Sequence, residues 1–248
     1  MSIAIQSLPQ SALNVINAYI NLKAAENKYI RCPYFRNPRS GRERWGLTAY
    51  SGKGSAQEIE TELEIIEKLE GKDFSEMHEN EIRDIMRKRK LGIECSGFIT
   101  RILDAWTREF YKKPIYSLIK FNSSGISWLF CKMRPYTHID VPTLVHQKNA
   151  YEIKNVNDIM PGDIVRFNSI IDHAIIITKI EKDVNLNLIK AYYAHSVSED
   201  NGEGVKEGQI DFASGKWCEL PDTGHTIDEK GEPKFYRLFI TEPLWQNK

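Results

Sequence analysis

One cysteine in the 248-residue sequence stands where it could act as a nucleophile. Cys95 lies in ECSGFITRILDAW, directly before apolar residues that recur at helical spacing. That spacing predicts a helix from about Ser96 to Phe110, with Cys95 at its N-cap or in its first turn. Because the backbone N–H groups and the dipole of a helix start favour an anion, we expect a lowered pKa for the Cys95 thiol. A buried and inert cysteine is the alternative.

The residues that follow Cys95 are small. Ser96 and Gly97 are expected to leave room for a substrate carbonyl beside the sulfur. Backbone N–H groups of the first helical turn are then available to an oxyanion. Ser96 is therefore a predicted substrate and oxyanion residue.

Two histidines are candidates for the base that a catalytic cysteine needs. His173 opens the strand-like segment HAIIITKI, and His195 closes LIKAYYAHS. If the polar segment EKDVNLN between them is the turn of a hairpin, the two histidines face each other with Cβ atoms about 4.5–5.5 Å apart. One imidazole can then act as base while the other orients it. Two incidental strand-end histidines, or a zinc site formed with Cys95, are the alternatives.

The elements that must position these residues fall into two halves. Apolar residues at helical spacing predict helices over about 9–23, over GSAQEIETELEIIEKLEG and over HENEIRDIMRKRK. The second of these helices has a capping box, Ser55 with Glu58, and Gly71 at its end. After residue 150, the segments DIVRF, HAIIITKI, LIKAYYAHS and KFYRLFI predict strands because they are rich in β-branched and aromatic residues. Helices first and antiparallel strands later predict an α+β fold.

The composition argues against several classes of protein. Basic and acidic residues balance at 34 each, so no net field attracts nucleic acid, and runs such as RNPRSGRER and MRKRK are typical of solvated faces. No apolar stretch approaches the roughly 20 residues of a membrane-spanning helix. The first residues do not resemble a secretory signal, and the four cysteines form no CxxC pair. We therefore expect reduced thiols in a cytoplasmic protein, or in one exported by a route other than Sec.

Four segments resemble the motif series of the NlpC-type cysteine peptidases, in the order of that family and over about residues 91–206. They are ECSGFITRIL, MPGDIVRF, DHAIIITKI and AYYAHSVSEDNGEGV. This papain-like superfamily mostly cleaves the peptide stems of bacterial cell walls. The resemblance implies that Cys95 is the nucleophile at a helix start, that His173 is the general base at the start of a strand, and that His195 orients it from the next strand. It also implies that the Pro-Gly-Asp turn leads into the first strand of the catalytic sheet.

The sequence departs from the family pattern at three places. Glu94 stands where the family commonly has aspartate. The gap between the nucleophile and the base is long and holds an insertion at about 111–147. The family's tyrosine, expected shortly before the nucleophile, is matched only by Tyr34, about 60 residues before Cys95. Tyr34 is thus an oxyanion-side candidate, and an aromatic packed under a loop is the alternative.

Acidic and amide residues beside these motifs are further candidates for contact with the base or with a cationic substrate. They are Asp172, Asp200, Asn201 and Glu203. Solvent-facing positions and turns are the more ordinary roles of such residues.

These observations predict a papain-like α+β fold in which the nucleophile-bearing helix packs on an antiparallel sheet. A helical N-terminal extension over 1–88 is expected to pack on a catalytic domain over 89–248. The predicted activity is hydrolysis of an amide bond through Cys95, His173 and His195, with no cofactor and no metal. The resemblance implies a peptide substrate of the cell-wall type, such as a peptidoglycan fragment. An acyltransferase or deamidase with the same thioester chemistry, and a non-catalytic binding module, are the alternatives.

Overall fold

The computed structural model of the protein describes residues 3–36, 47–121, 125–167, 173–198, 204–220 and 232–246. The helices are α1 (Gln10–Ile20), α2 (Ala56–Glu70), α3 (Glu79–Lys88), α4 (Cys95–Tyr111), α5 (Gly125–Met133), α6 (Val141–Leu144) and α7 (Pro243–Gln246). The strands are β1 (Ala4–Ser7), β2 (Leu22–Ala25), β3 (Lys28–Ile30), β4 (Ala150–Ile153), β5 (Ile164–Phe167), β6 (His173–Lys182), β7 (Leu188–Val197), β8 (Gly204–Asp211), β9 (Lys216–Leu220) and β10 (Pro233–Leu238).

A large antiparallel sheet dominates the second half of the chain. In the described residues its strand order is β4-β10-β5-β6-β7-β8-β9. Strand β1 pairs with residues 179–182, the C-terminal part of β6. Each of these pairings is antiparallel. Helices come mainly before the sheet in the sequence, so the α+β prediction is confirmed.

The helices predicted from periodicity form where the sequence places them. The N-cap Ser55 accepts a hydrogen bond from the Glu58 N–H, the Glu58 side chain accepts one from the Ser55 N–H, and α2 ends at Gly71 in the left-handed conformation. Helix α1 is shorter than predicted, because the chain turns at Asn21 into the β2–β3 hairpin. The segment before residue 89 therefore contains strands as well as helices. Helices α5 and α6 lie in the predicted insertion.

The apolar core consists of two clusters on opposite faces of the sheet. One cluster joins α1, α2, α3 and α4 to the sheet residues Ala174, Ile176 and Ala194, and it includes Cys95. The other cluster contains residues such as Phe167, Tyr193 and Trp217. Since neighbouring strand residues project to opposite faces, β6 and β7 contribute alternate side chains to each cluster. None of the helices in the described residues combines the length and apolar character that a bilayer crossing needs.

Candidate active site

Cys95 is the first residue of α4, at the boundary that the periodicity predicts. Its side chain is 6% exposed. The sulfur lies within hydrogen-bonding reach of the backbone N–H of Ala174, the residue that follows His173, and of the N–H of Ser96. The thiol is therefore placed beside the start of β6, with helix-start N–H groups directed at it.

The protonation state of Cys95 differs from the sequence expectation. Burial, and after it the nearby Glu94 carboxylate, raise the pKa of the thiol; against the lowering effects of the Ala174 N–H, Lys53 and the Ser96 N–H, the net value is about 11. The predicted lowering of the pKa is wrong, because desolvation of the thiolate outweighs the helix start. Cys95 is thus a neutral thiol that needs a base to become a nucleophile.

His173 and His195 lie in contact. His173 Nε2 is 3.0 Å from His195 Nδ1. His195 is completely buried, and His173 is nearly so. Both rings contact the second core cluster, His173 through Phe167 and His195 through Tyr193. Cys95 belongs to the first cluster, on the other face of the sheet, and it reaches the start of β6 at the Ala174 N–H.

The hairpin register differs from the prediction that the two histidines are directly opposite. The ladder pairs Ile176 with Ala194. Continued toward the strand end, it places His195 opposite Ile175, two positions from His173. The turn is centred on Asn185, one residue beyond the midpoint of the two histidines, because the Asp183 N–H donates to the Asn187 carbonyl oxygen, and the two register shifts within the hairpin cancel. The contact between the imidazoles is therefore diagonal, a separation that long side chains can span.

A buried ion pair adjoins His195 on the side away from His173. His195 Nε2 lies 3.1 Å from Glu219 Oε1, and Glu219 Oε2 lies 2.7 Å from Lys206 Nζ. Glu219 and Lys206 are 2% and 4% exposed. Burial alone would raise the pKa of Glu219, but the adjacent His195, through its charge when the imidazole is protonated, and the contact with Lys206 lower it to about 2.

Glu219 and Lys206 are not among the residues that the sequence predicts for the site. Glu219 lies in β9 and Lys206 in β8, and the pairing of these strands is known only from the folded sheet. A weak signal exists in KWCEL, where Glu219 falls two residues after the buried Trp217 and thus on the same strand face. A charged residue on the same strand face as a buried apolar residue is a candidate for a buried ion.

A second buried lysine lies on the thiol side of the site. Lys53 Nζ is 2.5 Å from Ser96 Oγ and 2.6 Å from the carbonyl oxygen of Ile139, and it forms an ion pair with Glu94. Ser96 Oγ also donates to Glu94 Oε1 at 2.8 Å. The Ser96 side chain is thus occupied within the protein, which leaves its backbone N–H as the group directed at the sulfur.

The space expected at Gly97 is filled by the protein. A Cβ atom at this position would collide with the carbonyl oxygen of Gly52. Gly52 has a φ of +72°, and its carbonyl oxygen accepts a hydrogen bond from the Glu94 N–H at 3.0 Å. The expectation that Gly97 leaves room for a substrate carbonyl is therefore wrong. Gly97 instead allows the loop that carries Lys53 to approach the start of α4.

Tyr34 lies close to the nucleophile although it is distant in sequence. It forms a parallel bridge with Ile93, whose N–H donates to the Pro33 carbonyl oxygen at 3.0 Å. Burial raises the pKa of the half-buried Tyr34, and the charges of Cys95 and Glu94 raise it further. The structure thus brings together Tyr34 and the segment that leads into α4.

The Pro-Gly-Asp turn anchors the sheet to α4. Gly162 has a φ of +92° and packs so closely on Trp106 that a side chain there would overlap the indole. Asp163 accepts two hydrogen bonds from Arg237, at 2.9 and 2.8 Å, and one from the Met160 N–H at 2.7 Å. These contacts are structural, and they tie the start of β5 to β10 and to α4.

A cavity of about 550 Å³ lies elsewhere, at the β4 and β10 side of the sheet. Tyr151, Lys182 and Arg237 are among the residues that line it, whereas Cys95 and the two histidines are not. The cavity is therefore separate from the candidate active site.

Some candidates lie outside the described residues. They are Asp172, Asp200, Asn201 and Glu203. Within the described ranges, no group of three or more His, Cys, Asp and Glu side chains is arranged to hold a metal ion.

Comparison with known proteins gives no family assignment. No protein-family model, no curated protein and no solved structure matches this chain significantly.

Proposed function

We propose that this protein is a papain-like thiol hydrolase that cleaves an amide bond through Cys95, His173 and His195. One observation carries the proposal. His173 Nε2 lies 3.0 Å from His195 Nδ1, and the next residue, Ala174, directs its N–H at the Cys95 sulfur. A thiol, a base beside it and a third group that orients the base are the parts that covalent catalysis by cysteine requires.

The proposed reaction begins with proton transfer. His173 takes the Cys95 proton, and the sulfur attacks the substrate carbonyl carbon. The backbone N–H of Ser96 and the side chain of Tyr34 stabilise the negatively charged oxygen that results. His173 gives the proton to the amide nitrogen as the carbon–nitrogen bond breaks, so the amine leaves and the acyl group remains on Cys95 as a thioester. Water, deprotonated by His173, then attacks the thioester and releases the acid and the thiol.

The raised pKa of Cys95 is compatible with this sequence of steps. A thiol with a pKa of about 11 is protonated at neutral pH, so it stays unreactive until a base is within reach. The reaction therefore depends more on the strength and position of His173 than on a thiolate formed in advance.

The proposed substrate is a peptide of the cell-wall type. Support for this class comes from the order of the four motifs that resemble the NlpC-type peptidases. Transfer of the acyl group to an amine, or attack on a side-chain amide with release of ammonia, would use the same thioester and the same three residues.

Thiol labelling tests whether the site is reactive. Iodoacetamide is expected to alkylate Cys95 at neutral pH faster than it alkylates Cys218, with each site quantified by peptide mass spectrometry. The His173→Ala variant should label at Cys95 about 100-fold more slowly, since general base catalysis contributes at least this factor. Labelling of Cys95 no faster than of Cys218, or unchanged in the variant, would identify a binding module instead.

Product analysis tests the bond and the acceptor. Purified muropeptides are incubated with the protein and with Cys95→Ala, and the products are identified by mass spectrometry. Hydrolysis predicts a gain of one water per cleaved amide with the wild type alone. Release of ammonia, or a new amide with an added amine, would replace hydrolysis by deamidation or acyl transfer. Unchanged muropeptides would contradict the cell-wall substrate.

A further inference from the structure

The row of reactive side chains continues past the two histidines into the sheet. His173, His195, Glu219 and Lys206 follow one another from β6 to β9 and β8, and Cys95 at the start of α4 adjoins the beginning of this row at the Ala174 N–H. A buried ion pair is expensive to desolvate and is often no more stable than apolar residues of the same volume. Stability alone therefore does not account for the position of Glu219 against His195.

We infer that Glu219 is a positioning residue of this active site, which selects the hydrogen-bonding state of both imidazoles so that Nδ1 of His173 accepts the Cys95 proton. The inference rests on the proposed function and names a residue through which that function is controlled.

The reasoning follows from the donors and acceptors in the row. A ring lone pair 3.1 Å from a carboxylate oxygen of Glu219 would be repelled by its negative charge, whereas an N–H is attracted to it, so Nε2 of His195 carries a proton. In the neutral His195 ring, Nδ1 is then an acceptor, and Nε2 of His173, 3.0 Å away, must be the donor. The remaining ring nitrogen of His173, Nδ1, has the lone pair.

Lys206 completes the arrangement. Its ammonium lies 2.7 Å from the second oxygen of Glu219 and favours the ionised carboxylate. The proton shared between Glu219 and His195 therefore stays on the imidazole. When His173 becomes an imidazolium, its charge is stabilised through His195 by a carboxylate that is already ionised. This stabilisation matters because burial disfavours the Cys95 thiolate.

The first test measures hydrogen-bonding state directly in the unmodified protein. In ¹⁵N-histidine NMR spectra recorded with the imidazoles neutral, both His173 and His195 should carry the proton on Nε2. A proton on Nδ1 of either ring would overturn the inference. Assignment uses His173→Ala, in which one set of ring signals is lost. This test needs no variant of Glu219 to fold.

The second test measures function across four proteins: wild type, Glu219→Gln, His173→Ala and the double variant. Alkylation of Cys95 by iodoacetamide is followed against pH, with Cys131 as the internal reference because Cys218 adjoins Glu219. Glu219→Gln should slow labelling at neutral pH about tenfold, equivalent to one pKa unit of base strength. The ratio of wild-type to variant rates should decrease as the pH rises and the thiol ionises without help.

The double variant separates positioning from a structural role. If Glu219 acts through the imidazoles, Glu219→Gln should have no further effect once His173 is alanine. An equal slowing in both backgrounds, or no slowing in either, would contradict the inference. If His173→Ala itself leaves the labelling rate unchanged, the proposed function fails. If His173→Ala slows labelling and Glu219→Gln does not, only the role of Glu219 fails.

Discussion

Two buried lysine–glutamate pairs flank the reactive side chains, and they act in opposite directions. Lys53 and Glu94 adjoin Cys95, where the carboxylate raises the pKa of the thiol and so disfavours the thiolate. Glu219 lies against His195, where a carboxylate favours the imidazolium. The same two residue types thus restrain the nucleophile on one side and strengthen the base on the other.

The difference between the two pairs lies in what surrounds them. Lys53 contacts Ser96 and the Ile139 carbonyl as well as Glu94, so it ties the start of α4 to the insertion between the nucleophile and the base. Glu219 connects to the site through one imidazole. We therefore expect the thiol-side pair to matter most for stability and the imidazole-side pair to matter most for reactivity.

The largest expected effect follows from removing Lys53. Lys53→Met leaves the Glu94 carboxylate, whose side chain is 14% exposed, without its cation, which should lower the free energy of unfolding by about 3 kcal/mol. Urea denaturation measures the change. Lys154→Met is the matched control, because a solvent-exposed ion pair such as that of Lys154 with Glu152 contributes little to stability. Equal losses in the two variants would remove the structural role assigned to the thiol-side pair.

A second effect concerns stability in acid. Contacts in the folded protein lower the pKa of Glu219 from 4.5 to about 2. A lowered pKa contributes stability that is complete above pH 4.5 and is lost as the pH falls toward 2, by about 3 kcal/mol for this shift. Between these pH values the wild type should therefore lose stability more steeply than Glu219→Gln. Parallel unfolding curves for the two proteins would contradict an ionised Glu219 in the folded state.

The third predicted effect is a faster alkylation of Cys95, opposite in sign to the effect of Glu219→Gln. Glu94→Gln removes the negative charge beside the thiol, which should lower the pKa of Cys95 and raise its alkylation rate at neutral pH by up to about tenfold. Iodoacetamide labelling at several pH values measures the shift. A rate that falls in Glu94→Gln, as it should in Glu219→Gln, would end the distinction between the two sides of the site.

Local sequence signals reveal only part of this arrangement. Cys95, His173 and His195 are identifiable because each stands at the end of a segment with clear periodicity. The contacts of Glu219 and Lys206 are not identifiable in this way, since they depend on which strands become neighbours in the sheet. The raised pKa of Cys95 is also hidden, because it results from burial by residues far along the chain rather than from the helix start.

Close approaches between distant segments are the other feature that the sequence does not reveal. Tyr34 reaches the site because its segment pairs with Ile93, across the helices that separate them in the chain. From the sequence, Gly97 is expected to leave open space beside Cys95, yet the Gly52 carbonyl occupies that space. A small residue indicates that something approaches closely, and only the tertiary structure identifies whether it is substrate or backbone.

The smallest expected effect calibrates the others. Ser55→Ala removes the N-cap of α2 and should lower the free energy of unfolding by about 1 kcal/mol, while Cys95 alkylation stays at the wild-type rate. Urea denaturation and iodoacetamide labelling measure the two quantities on the same protein. Because α2 contributes no residue to the row from Cys95 to Lys206, a slower rate here would show that lost stability alone suppresses labelling. The rate changes in Glu94→Gln and Glu219→Gln could then no longer be assigned to charge, whereas an unchanged rate lets their opposite signs be compared directly.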